Sequence, residues 1–149
     1  MKGVKLALAS EEQKTERDRL CHEAWGAPLS VSQFLERERV LRGTPWARAY
    51  MKSWLLVDEG HGGALASCET FQMRSCITAP GSARNDGHSY GIASVYSEPR
   101  FRGKGHASRL VELVHAELER ADPKLQAFVL YSEVGAPMYE RLGYVLRPS

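Results

Sequence analysis

Between Ile92 and Leu118 the sequence changes period, from that of a strand to that of a helix, across a join of a few residues. Ile92, Val95 and Tyr96 are β-branched or aromatic in a short apolar run, as in a buried strand. Ala107, Leu110, Val111, Val114 and Leu118 then recur at helical spacing and share one face. The join itself, YSEPRFRGKGHASR from Tyr96 to Arg109, contains Gly103 and Gly105 and the cations Arg100, Arg102, Lys104 and Arg109, with no acid from Arg100 onward. A glycine-rich loop entering a helix presents free backbone N–H groups and the positive end of the helix dipole, so it favours an anion. Glycine there permits left-handed dihedrals and the close approach a phosphate needs. The same residues also suit an ordinary tight strand-to-helix turn. They are neither a dinucleotide GxGxxG fingerprint, because position 108 is Ser, nor a GxxxxGK[ST] phosphate loop.

The length of 149 residues, with 43% hydrophobic and 26% charged, suits a single globular domain over 1–149. Its longest apolar runs, such as Trp54 to Val57, fall far short of a bilayer span, and its first residues lack a hydrophobic signal region. The expectation is a cytoplasmic or nuclear protein without a membrane partner. A net charge of +2 argues against an extended nucleic-acid surface, while the clustered cations suit a small polyanion. Cys21, Cys68 and Cys76 lack both disulfide-framework and zinc-ligand spacing, so no metal is expected.

Val4 to Leu8 reads as a first strand. Ser10 with Gln13, and Ser30 with Gln33, are capping boxes that open two helices, one ending near Gly26 and the other before Gly43 and Pro45. In the second helix Val31, Phe34, Leu35 and Leu41 share a face. Trp54–Asp58 and Ala64–Phe71 form a hairpin about the glycine turn at 61–63. Residues 73–88 read as a long loop, Ser89–Tyr96 as a strand, and Leu125–Tyr131 as another after the break at Asp122 and Pro123. Pro137 and Gly143 bound a short helix from about Ala136 to Leu142, and a last strand begins at Tyr144–Leu146.

Two segments together resemble the GNAT family of N-acetyltransferases. PRFRGKGHA, with Arg102, Gly103, Lys104, Gly105 and Ala107, resembles the family's R/Q-x-x-G-x-G/A pyrophosphate signature; a frame starting at Arg100 also fits, but Pro99 and Phe101 favour Arg102 as its lead. SEVGAPMYERLGY resembles the closing motif, with Ser132 in the Asn place, Gly135 in the Ala place, and Tyr139, Gly143 and Tyr144 matching. The resemblance covers essentially the whole chain. It implies an α/β (α+β) fold: a mixed, mostly antiparallel sheet of six to seven strands, flanked by helices and splayed near Tyr96 to admit acetyl-CoA. ALASCETF, GIASVYSEPRFRGKGHA and LYSEVGAPMYERLGY further resemble fungal free-lysine acetyltransferases, which carry an additional C-terminal half. The chain here ends at Ser149, as a truncated or minimal form would.

The implied activity is direct acetyl transfer from acetyl-CoA to a small-molecule primary amine, with the free lysine ε-amino group as leading acceptor and a monomer or homodimer as the working form. A CoA-binding domain without turnover is the alternative. Transfer needs a held donor, a neutral amine, stabilisation of a developing oxyanion and a proton for the departing thiolate. For donor binding the candidates are Ser94, Val95, Tyr96, Arg100, Arg102, Gly103, Lys104, Gly105, His106, Ala107 and Ser132, with the Val95 N–H facing the thioester carbonyl. A phenol, protonated at neutral pH, is a suitable acid for the leaving sulfur, and Tyr139 is the candidate; it also suits a core aromatic. A lysine amine is neutral in fewer than roughly one molecule in a thousand at pH 7, so a base is required. Glu69, His88 and Glu133 are candidates, although Glu69 would equally suit the solvent face of an alternating strand. Trp25, Phe34 and Glu69 are candidate acceptor contacts, and Trp25 and Phe34 equally suit core positions.

Overall fold

Leu110, Val111, Val114 and Leu118, the residues at helical spacing, are all buried along one side of a helix, α4 (His106–Ala121). They meet Trp54, Leu56, Ala66, Cys68, Tyr90 and Ile92 from one face of a sheet. The computed structural model describes residues 3–60, 62–132 and 135–147. Among these, the sheet has five strands, β1 (Val4–Leu8), β2 (Met51–Asp58), β3 (Ala64–Ile77), β4 (Asn85–Tyr96) and β5 (Leu125–Leu130), neighbours in chain order. β1 to β4 are antiparallel and β5 lies parallel to β4. Three helices, α1 (Glu11–Trp25), α2 (Val31–Arg42) and α3 (Pro45–Tyr50), precede β2, and α5 (Ala136–Glu140) follows β5. Side-chain contacts from α1 and α3 reach the sheet face opposite α4.

Both capping boxes form, with each serine accepting from the glutamine N–H and each glutamine side chain returning to the serine N–H. Two expectations need correction, and one helix is additional to those expected. The segment 73–88 is mostly sheet: β3 runs on to Ile77 and β4 starts at Asn85, pairing Arg74 with His88 and Ser75 with Gly87. Main-chain bonds hold this extension, and its polar residues carry no apolar alternation that would reveal it. Residues 45–50 form α3, capped by Thr44 with Pro45 in its first turn. Finally, the described sheet has five strands, not six or seven, because residues 144–147 are not a strand. Gly143, at φ +89°, ends α5 in a Schellman turn: the Tyr144 N–H bonds the Tyr139 carbonyl at 3.1 Å and the Gly143 N–H bonds the Glu140 carbonyl at 3.0 Å. That turn sends Tyr144 and Leu142 onto the α4 side of the core, where both pack.

Candidate active site

The end of β4 departs from regular pairing on both sides. Toward β3, Ser67 faces Tyr96 and Glu69 faces Ala93, so three steps of β4 match two of β3 and one residue is extra. Ser94 absorbs the irregularity at φ +51°, a left-handed conformation uncommon outside glycine. Toward β5, pairing ends at Ile92 with Leu130, although β4 continues to Tyr96. The strands therefore part over Ala93–Tyr96, the splay expected near Tyr96. Val95 packs toward the α4 core, whereas Tyr96 meets Trp25 of α1 edge-on at 5.9 Å between ring centroids.

Beyond β4, a single 3-10 turn at Pro99–Phe101 leads into the glycine loop. Gly103 and Gly105 have φ of +75° and +77°, and no side chain caps the N-terminus of α4. A Cβ at Gly103 would meet nothing, so its glycine serves the backbone turn and not crowding. Arg102 braces this loop: its Nε donates to the Ser97 carbonyl at 2.9 Å and its guanidinium lies over the Tyr96 ring at 5.7 Å. Arg100 is instead paired with Glu98 at 2.8 Å. Lys104 is exposed, His106 sets its ring edge-on to Phe101 at 6.5 Å, Ala107 is half-buried, and Ser132 is exposed. Ser97 Oγ and Arg109 Nε are buried polar atoms without a hydrogen-bond partner among the described residues.

The structure sorts the remaining candidates. Tyr139 is 7% exposed and packs edge-on to Tyr144 at 5.8 Å, and Tyr144 and Val95 both pack against the core beneath α4. Glu69 is not on a solvent face: it is buried, accepting from Arg17 at 3.2 Å with Arg42 at 3.7 Å. His88 does not join the site. It lies seven residues before Val95 along β4, about 23 Å away at strand rise, and its Nδ1 is 2.7 Å from Asp122. Tyr90 and Gln72 also bond Asp122; burial alone would raise that carboxyl, but its Lys124 amide, His88 and Tyr90 bonds outweigh it and hold Asp122 below the usual carboxylate range. The Tyr90 phenol, buried and facing Asp122, is pushed up to about 12. Glu133 lies outside the described residues.

Phe34 takes the core position it equally suited: it is 3% exposed, edge-on to His22 at 5.6 Å and covered by Arg37. Trp25 remains 42% exposed beside Tyr96. The aromatic group that sequence reasoning missed is Trp46, Tyr50 and Phe71, with Trp46 6.2 Å from Tyr50 and 6.0 Å from Phe71. Phe71 lies over Gly91, where any Cβ would come within 2.2 Å of its ring. Thr44–Pro45, a cap followed by a first-turn proline, was the signal that would have placed α3 and so this group.

Residues 51–146 match the acetyltransferase (GNAT) domain, which takes in β2 to α5 and so the bulge, the splay, the glycine loop and Tyr139. The chain belongs to the GNAT acetyltransferase family. Its domain is 27% identical over 156 aligned residues to a lysine acetyltransferase of Yarrowia lipolytica, an alignment that covers 93% of this chain and 39% of that protein. The chain thus spans about two-fifths of that relative's length. Among solved structures, a Trypanosoma brucei acetyltransferase superposes with a TM-score of 0.66 at 22% identity, covering 98% of this chain and 95% of that one. The glucosamine-6-phosphate N-acetyltransferase of Arabidopsis thaliana superposes at 0.63 and 18% identity, covering 98% and 94%. A predicted acetyltransferase of Clostridium acetobutylicum with acetyl-CoA superposes at 0.66 and 16% identity, covering 97% and 91%. These likenesses establish the GNAT fold, five described strands included.

Proposed function

We propose that this domain transfers the acetyl group of acetyl-CoA to a primary amine, with the ε-amino group of free lysine as leading acceptor. The observation that carries the reading is the coincidence of the Ser94 bulge, the parting of β4 from β5 and the left-handed glycine loop within a dozen residues of chain. The family uses acetyl-CoA, and the residues present fit its pyrophosphate. Gly103 and Gly105 turn the loop, the uncapped start of α4 offers N–H groups, and the orphaned Ser97 Oγ and Arg109 Nε await polar partners. Arg102 and Lys104 add charge, while Arg100 is already answered by Glu98.

When bound, acetyl-CoA supplies an activated acyl group. The Val95 N–H would polarise the thioester carbonyl and the Tyr139 phenol would give its proton to the leaving sulfur; of the two protons the ammonium acceptor loses, one would pass to water before attack and the other, after attack, would return through water to the Tyr139 phenolate. Two sets of part-exposed rings on the face opposite α4, Trp25 beside Tyr96 and the Trp46, Tyr50 and Phe71 group, are the candidates to meet the apolar stem and cationic end of lysine. Glu69 serves there as the fastening of Arg17 and not as a free base. The lysine reading is supported by the likeness to the Yarrowia protein named a lysine acetyltransferase. Acceptor-dependent thiol release from acetyl-CoA across a panel of primary amines tests the proposal: release with lysine well above the amine-free rate supports it, and none with any amine sinks it.

A further inference from the structure

Arg17 is 6% exposed in the middle of α1, and the acetyl transfer described above gives it no part. Its planar guanidinium reaches several groups at once. Nε donates to Ser67 Oγ at 3.2 Å; one terminal nitrogen donates to Glu69 at 3.2 Å and Asp18 at 3.3 Å; the other donates to the Ser94 carbonyl oxygen at 3.2 Å. A buried charge needs this many partners, and a lysine could not reproduce the fork. The last of these bonds falls on the left-handed residue of the β4 bulge.

The Ser94 carbonyl and the Val95 N–H are two ends of one planar peptide unit, and in the trans form they point in opposite directions. Holding the oxygen therefore aims the N–H. A guanidinium on the oxygen also strengthens the N–H as a donor, because hydrogen bonds in a chain polarise one another. We propose that Arg17 is a positioning residue for acetyl transfer: it clamps and polarises the Ser94–Val95 peptide so that the Val95 N–H is directed, as a strengthened donor, at the thioester carbonyl oxygen. This rests on the proposed function and on Val95 as the oxyanion donor.

Arg17→Met and Arg17→Lys test it, with thermal unfolding first confirming a folded protein. Acetyl-CoA carrying a 13C carbonyl is then bound and its carbonyl stretch read by isotope-edited infrared spectroscopy, beside steady-state kinetics. In the wild type the stretch is expected to move to lower wavenumber on binding, and a bound but undisplaced carbonyl overturns the inference. The folded variants are expected to bind acetyl-CoA within about threefold of wild type, lose most of that displacement, and lose at least about tenfold in kcat with KM for acetyl-CoA nearly unchanged. Wild-type kcat in a folded variant overturns the inference, as does a fall in kcat with the carbonyl displacement intact, which would mark Arg17 as merely structural. Should both variants fail to fold, the wild type decides: the Val95 amide proton resonance must move downfield when acetyl-CoA binds, and an unmoved resonance overturns the inference. A wild type that does not bind acetyl-CoA overturns the proposed function, and this inference with it.

Discussion

Tyr139 is placed by the turn that follows it, because Gly143 closes α5 and brings the Tyr144 N–H back to the Tyr139 carbonyl at 3.1 Å. With the backbone tied there, the ring is held edge-on to Tyr144 instead of in solvent. If the phenol is the acid for the departing thiolate, Tyr139→Phe keeps the packing and removes the proton; kcat is expected to fall about 100-fold with acetyl-CoA affinity within about twofold. Equal turnover in the phenylalanine variant would assign Tyr139 to the core alone. Gly105 carries a different demand. At φ +77° it begins α4 in a left-handed conformation that a β-branched residue resists by about 1–2 kcal/mol or more. Gly105→Val is therefore expected to abolish measurable acetyl-CoA binding in calorimetric titration while α4, buried along Leu110, Val111, Val114 and Leu118, stays folded by circular dichroism.

At the scale of elements, α1 and α2 are held by charge more than by grease. α1 buries Arg17, Asp18 and Cys21, and Arg42 at the end of α2 reaches Asp18 and Glu69, linking both helices to β3. Removing one member leaves the others buried and unanswered. Glu69→Ala is thus expected to lower stability by about 3 kcal/mol, seen as a lower denaturant midpoint; a change of a few tenths would show that water replaces the carboxylate. This cluster also explains what the sequence could not reveal. The α4 face was legible because its apolar residues repeat at helical spacing, and both capping boxes were legible because their bonds are local. Arg17 gave no signal: in EEQKTERDRL one arginine looks like the next, and only partners about 50 and 77 residues away distinguish it. Likewise the positive φ of Ser94 depends on the register of β3 against β4, and the removal of His88 from the site on how early β4 begins. The glycine loop and Tyr139 stand out as candidates because both lie in short motifs.

Across the whole molecule, the segment after α5 is fastened to α4 by one polar contact inside apolar packing. His115 stacks on Phe128 at 4.1 Å and its Nε2 meets the Tyr144 hydroxyl at 2.8 Å. Burial lowers the His115 pKa, against the opposing pull of Glu119 and Glu112, and burial raises that of Tyr144, so burial disfavours charge on both partners of this bond. A histidine whose folded pKa lies below its unfolded value near 6.5 contributes stability that is fully present above about pH 6.5 and is lost as pH falls through the folded value. The unfolding temperature of the wild type should therefore drop more steeply below pH 6.5 than that of His115→Gln; parallel curves would contradict the assignment. The same packing holds the Tyr139 ring edge-on to Tyr144 at 5.8 Å. The most direct test of acetyl transfer to the lysine ε-amine is thiol release from acetyl-CoA with Nα-acetyl-lysine and Nε-acetyl-lysine as paired acceptors. The expected result is release with the Nα-blocked compound and only the amine-free rate with the Nε-blocked one; tight acetyl-CoA binding with no release from either, or from lysine itself, would contradict it.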